Sequence, residues 1–167
     1  MNSLRIVYRN AFVETIILLS VLLQIVSGLY LFKKQKRTVT KSFDKLQIWT
    51  GLYLAFFFLV HVGAVFTGRF ILNLDTNFYF GVAGMNSFPF SLFFIPYYAM
   101  AIFSFFTHIA CIHYKKMERN IAGLSPWHQS IAVMIAGLVI MLLVLYGSTG
   151  EFNGVEVPEA YKVLQGK

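Results

Sequence analysis

Five ionisable side chains, Glu14, His61, His108, His113 and His128, lie in or beside long apolar runs. An ionisable group at membrane depth is a functional hypothesis by default, because leaving it unpaired costs roughly 2.5–3.5 kcal/mol on insertion scales measured for Arg, Lys and Asp. Neutral imidazole should cost less; it is the commonest metal ligand and can hold haem iron from within a helix bundle. No hydrolase constellation, phosphate loop or zinc-ligand spacing accompanies these residues. The chemistry on offer is axial ligation of haem, hydrogen bonding to a quinone headgroup, or proton transfer. Plain hydrogen bonding between helices uses the same side chains.

The elements that must position these groups are transmembrane helices. The chain has 167 residues, of which 57% are hydrophobic and only 13% charged, with a mean hydropathy of +0.66. Four runs of about 20 apolar residues, each long enough for an α-helix to cross the hydrocarbon core, predict spans at 11–32, 46–66, 91–114 and 127–146. The expected fold is all-α, an integral membrane four-helix bundle forming a single domain over 1–167. The remaining loops and two short tails leave no room for a soluble catalytic domain or a nucleotide fold.

A net charge of +7 would suggest nucleic acid in a soluble chain, but here the bases cluster beside apolar runs, and no nucleic-acid partner is expected. Nine of them (Lys33, Lys34, Lys36, Arg37, Lys41, Lys45, Lys115, Lys116, Arg119) fall in the two short connections, against Arg5, Arg9, Arg69, Lys162 and Lys167 elsewhere. The positive-inside rule then predicts both basic loops in the cytoplasm and both termini outside. A bacterial inner membrane is the expected location. The first apolar stretch is too long for a cleaved signal, contains Glu14 and runs into a basic stop, which predicts a retained span. Ser125, Pro126 and Trp127 suit the start of the fourth helix, and Gly123 suits the end of the third. The aromatic connection 68–89 is expected in the headgroup layer, and the tail after Gly147 reads as loop.

Depth decides which histidines can share one iron. Counting 1.5 Å per residue from each span's midpoint, His61 lies about 7–8 Å toward the outside, His108 about 8 Å toward the cytoplasm and His128 about 13 Å toward it. His61 and His108 then differ by roughly 16 Å, whereas His108 and His128 differ by about 5 Å, which tilt can absorb. Small residues flank both, Ala101 and Ser104 before His108 and Ala132 and Ala136 after His128, leaving space either for a flat macrocycle or for close helix packing. His113 is the boundary alternative to either. Glu14 lies at the level of His61 and can pair with it structurally or as a proton relay. Arg69 can meet a haem propionate or a lipid headgroup, or act as an interfacial anchor, and Tyr97 and Tyr98 read as membrane-edge aromatics.

The stretch from Leu46 through Gln47, Trp49, Thr50, Gly51, Leu54 and Phe57 to His61 resembles the first haem-bearing helix of the cytochrome b subunits of succinate dehydrogenase and fumarate reductase. Thr50, Leu54, Phe57 and His61 share one helical stripe, which the resemblance turns toward the cofactor. It also implies ligand roles for His108 and His128. The family's His-Arg-x-Ser/Thr-Gly element is represented in the first span only by Gln24-Ile25-Val26-Ser27-Gly28, without the His and Arg, so Ser27 near a quinone would lack its basic partner. A second outer histidine is also absent, which points to one inner haem rather than two.

These readings converge on a small membrane cytochrome b or the membrane anchor of a respiratory complex. It would bind one haem b through His108 and His128, with His61 as a possible further ligand and Arg69 and Ser27 lining the cofactor. It would pass electrons to or from quinone as part of an oxidoreductase, with a cytoplasmic flavoprotein or iron-sulfur subunit, or another membrane subunit, as partner. The competing class is a non-redox accessory subunit whose histidines are interhelical glue. A transporter or proton channel ranks third, because four spans with one buried carboxylate offer few groups to line a path.

Overall fold

In the computed structural model, which describes residues 6–165, helix makes up 74% of the chain, the described residues form no strand, and four helices are long and apolar enough to cross a membrane. The protein is an integral, multi-pass all-α membrane protein. Its helices are α1 (Ala11–Gln35), α2 (Ser42–Phe66), a short α3 (Phe78–Val82), α4 (Ser91–Lys116) and α5 (Pro126–Ser148). The spans begin and end within a few residues of the sequence expectation. They overrun it mainly at the basic end, where Lys33, Lys34, Lys45, Lys115 and Lys116 lie in the added turns.

The spans pack in chain order, α1 on α2, α2 on α4 and α4 on α5. The α4 stripe of Ala101, Ser104, Thr107, Ala110 and Cys111 is buried, as small residues are where membrane helices approach closely. On α5, Ser130 and Gly137 are buried, and Gly137 packs on Phe106 of α4. At the α2–α4 crossing Tyr53 donates to the Tyr97 carbonyl (2.9 Å) and Tyr97 donates to the Phe57 carbonyl (3.1 Å). Tyr97 is therefore buried inside the bundle, not at the membrane edge. The edge helix α1 contains no buried residue.

The two connections between α1 and α2 and between α4 and α5 share the basic end. In the second, α4 stops at Lys116, and Gly123 (φ +77°) with Ala122 (φ +50°) forms a tight turn closed by reciprocal Ile121 and Leu124 backbone bonds. Two successive positive φ values define that turn, so Gly123 serves the turn and not the helix end. At the opposite end α2 runs into a π-helical turn, Thr67–Ile71, followed by α3. The tail after α5 returns over this region and ends in a 3₁₀ helix, Glu159–Gln165, where sequence alone suggested loop. Tyr161 and Val157 pack on Ala83, Tyr161 donates to the Asp75 carbonyl, and Asn86 bridges the Ser148 carbonyl and the Val155 amide. Loop and tail thus form one cap.

Candidate functional site

Thr50 and Gln47 meet His108 because α2 and α4 run antiparallel, with the start of one beside the end of the other. The His108 Nδ1 lies 3.0 Å from the Gln47 carbonyl and 3.2 Å from the Thr50 hydroxyl oxygen. A carbonyl can only accept, so Nδ1 carries the proton. The Thr50 hydroxyl donates to the Leu46 carbonyl at 2.8 Å, leaving its oxygen free to accept from the same ring. In the neutral imidazole Nε2 then keeps its lone pair. Gly51 lets the ring sit this close: a Cβ there would be 3.0 Å from His108 Cε1.

His108 lines a half-open cavity of about 400 Å³ bounded by α1, α2 and α4. The volume is within the range of roughly 300–1,000 Å³ that holds small molecules and cofactors. Leu54, Ala55, Phe58 and Phe105 give it apolar walls, while Gln24, Ser27, Gln35 and Gln47 add polar groups. The rim residues Leu31, Phe105, Ile109 and Ile112 are exposed. Because α1 packs principally on α2, the space between α1 and α4 remains a lateral cleft with α2 as its floor. Ser27 is on its wall, with its hydroxyl donating back to the Leu23 carbonyl at 2.6 Å.

The other histidines occupy separate surroundings. His128 is exposed, and its Nδ1 lies 2.8 Å from the Ser125 hydroxyl one turn earlier, a local contact across the first turn of α5. The structure does not bring His128 to His108: His128 is absent from the cavity wall, and no other His, Met or Cys lines it among the described residues. His113 meets Gln129 Oε1 at 2.9 Å, and the Gln129 amide donates to the Arg119 and Leu124 carbonyls, which joins α4 to α5 at the loop. The stripe Thr50, Leu54, Phe57 and His61 divides. Thr50 bonds His108 and Leu54 lines its cavity, whereas Phe57 stacks on His61 (centroids 5.1 Å apart).

His61 belongs to a second cavity of about 280 Å³ near the capped end, with Tyr8, Glu14 and Arg69 among its lining. On α4 its neighbour is Tyr98, ten residues or about 15 Å along the helix from His108. Glu14 pairs with Arg69 and not with His61, because the guanidinium is a full charge where the imidazole offers one N–H. Arg69 also donates to the Thr76 hydroxyl (3.0 Å), and Arg9 bonds both Asp75 (2.6 Å) and Thr76 (3.2 Å). This network ties α1 to the cap.

The Glu14–Arg69 side chains are only 30% and 20% exposed. The pair therefore falls between exposed ion pairs, at ~0–1 kcal/mol, and buried ones, whose breaking costs ~3–5 kcal/mol. Glu14→Gln is expected to destabilise the purified protein by about 2 kcal/mol. Thermal melts of Glu14→Gln, Arg69→Gln and the double variant check this; the double variant should be no worse than the more damaging single one.

No protein-family model, curated protein or solved structure matches the chain.

Proposed function

We propose that this protein is a membrane-anchor subunit of a respiratory electron-transfer assembly that holds a lipid-soluble quinone in the His108 cavity. The observation that carries the reading is the fixed tautomer: Gln47 holds the Nδ1 proton and leaves the other ring nitrogen as an acceptor in a largely apolar cleft. An acceptor in that setting suits the hydroxyl of a reduced quinone, since a hydrogen bond made away from water gains in strength. The lateral opening between α1 and α4 admits a ligand from the bilayer. Gln24, Ser27 and Gln47 supply further polar contacts around the headgroup, and the apolar walls take the ring and isoprenoid tail. The expected partners are soluble or membrane redox subunits that exchange electrons with the bound quinone.

A second reading is haem b with His108 as axial ligand. It is favoured by the same Nδ1 contact, because metal-bound histidines commonly donate their other N–H to a backbone carbonyl. Ser27, Gly28, Gly51 and Ala55 also keep the cavity wall low. Haem would supply one-electron transfer, and His108 would provide one axial nitrogen and its orientation. His128 does not line the cavity, and its ring bonds Ser125 instead.

Protein purified in lipid nanodiscs supplied with quinone, then extracted into solvent, separates these readings. An oxidised-minus-borohydride-reduced ultraviolet spectrum is expected to show about one quinone per chain above the lipid background. A Soret band in the same sample would select haem. Absence of both would leave an accessory subunit. Gly51→Val tests the cavity wall: its side chain would push the His108 ring off Gln47, and quinone retention is expected to fall about fivefold with little change in melting temperature.

A further inference from the structure

The two ends of the bundle carry their charge differently. The two short connections and adjoining helix ends hold nine bases and only two acids, Asp44 and Glu118, which accounts for the whole formal charge of +7; the remaining five bases and five acids cancel. At the capped end each described base has a carboxylate: Arg9 with Asp75, Arg69 with Glu14, Lys162 with Glu159. At the basic end all nine bases are exposed, and among the described residues only Lys115 makes an ion pair, with Asp44 at 2.7 Å.

The unpaired cations do not all project into water. The Lys34 and Lys36 ammonium groups lie 5.9 Å and 5.3 Å from the ring centroids of Tyr30 and Phe32, one turn back along α1. Phe32 in turn makes an edge contact with Trp49 on α2 at 5.4 Å. Trp49 and Trp127 are exposed at this end, the depth that aromatic side chains take in the interface. Cations folded back over interfacial aromatics are placed for headgroups in the adjoining leaflet, whereas an acidic soluble protein would engage side chains that reach outward.

We propose that the basic end selects anionic phospholipids, binding their phosphodiester headgroups through the exposed lysines and arginines that flank α1, α2 and α4. Clusters of four to eight bases beside a membrane helix recognise such lipids by this electrostatic attraction.

Trp49 and Trp127 are the only two tryptophans, and both report from this end. In phosphatidylcholine vesicles containing a minor fraction of brominated phosphatidylglycerol, tryptophan quenching is expected to match a local fraction about threefold above the bulk. The excess should vanish at about 1 M salt, where the screening length is ~3 Å. It should fall by about half in the Lys33→Gln, Lys34→Gln, Lys36→Gln, Arg37→Gln quadruple variant, which removes four of the nine bases, and persist in full in Lys162→Gln. Quenching that simply follows the bulk fraction in the parent protein would overturn the proposal and leave the basic end to an acidic protein partner. An excess undiminished by salt or by the quadruple variant would overturn it too. Should the quadruple variant not fold, the salt series on the parent protein decides.

Discussion

His108→Leu is expected to reduce quinone retention about tenfold while the protein still folds and inserts. The size follows from removing the one directed acceptor: a net hydrogen bond contributes roughly 0.5–1.5 kcal/mol, and 1.4 kcal/mol is a factor of ten. The variant should tolerate the change because leucine is a good helix former. The Gln47 carbonyl remains in α2, and the Thr50 hydroxyl keeps its bond to the Leu46 carbonyl, so no buried donor is orphaned. Retention in lipid nanodiscs, measured by solvent extraction, checks the outcome. His61→Leu serves as control, since His61 lines the other cavity and should leave retention unchanged. Equal loss in both variants would locate the quinone elsewhere. If haem is the bound group, His108→Leu instead removes the Soret band.

Gly137→Ala is expected to destabilise the bundle more than Gly84→Ala, by about 3 kcal/mol against about 1 kcal/mol. A Cβ at Gly137 would be 2.3 Å from the Phe106 Cβ, an atom fixed to the α4 backbone, so α4 and α5 must separate to admit it. At Gly84 the atoms met first belong to the Phe94 ring, again at 2.3 Å, and a ring can rotate aside. Moving helices apart forfeits packing along the whole α4–α5 contact, the most extensive between two helices here, and such packing is the main attraction between helices once both are in lipid. Comparing melting temperatures and the monodisperse fraction of the two variants tests the ranking.

Length and hydropathy made the four spans legible, because a helix crossing hydrocarbon must be continuously apolar and therefore announces its own extent. Depth was legible too: His61 and His108 were separated by counting, and the structure puts them in different cavities. Direction around the helix axis was not. The spans are apolar on every side, so the sequence carries little amphipathic signal of which face meets which neighbour. His108 and His128 could be matched in height without any sign that one faces α2 while the other turns back to Ser125. The Gln47 and Thr50 contacts with His108 depend on that rotation. Tyr97 was misread for a related reason, since a tyrosine near a span's end marks the interface unless a carbonyl is available to its hydroxyl inside, as Phe57 provides. Glu14 and Arg69 were both singled out, but sequence distance hid their pairing across α1 and the end of α2.

The burial of Cys111 has a practical consequence. As the sole thiol in the chain, fully enclosed between α4 and its neighbours, it should stay silent toward bulky maleimides and methanethiosulfonates in the folded protein. Single cysteines placed at Leu19 or Leu23, outward positions on the edge helix, can then carry spin or fluorescent labels without a cysteine-free background. Distances from such labels to a second one on α4 would report the width of the cleft directly.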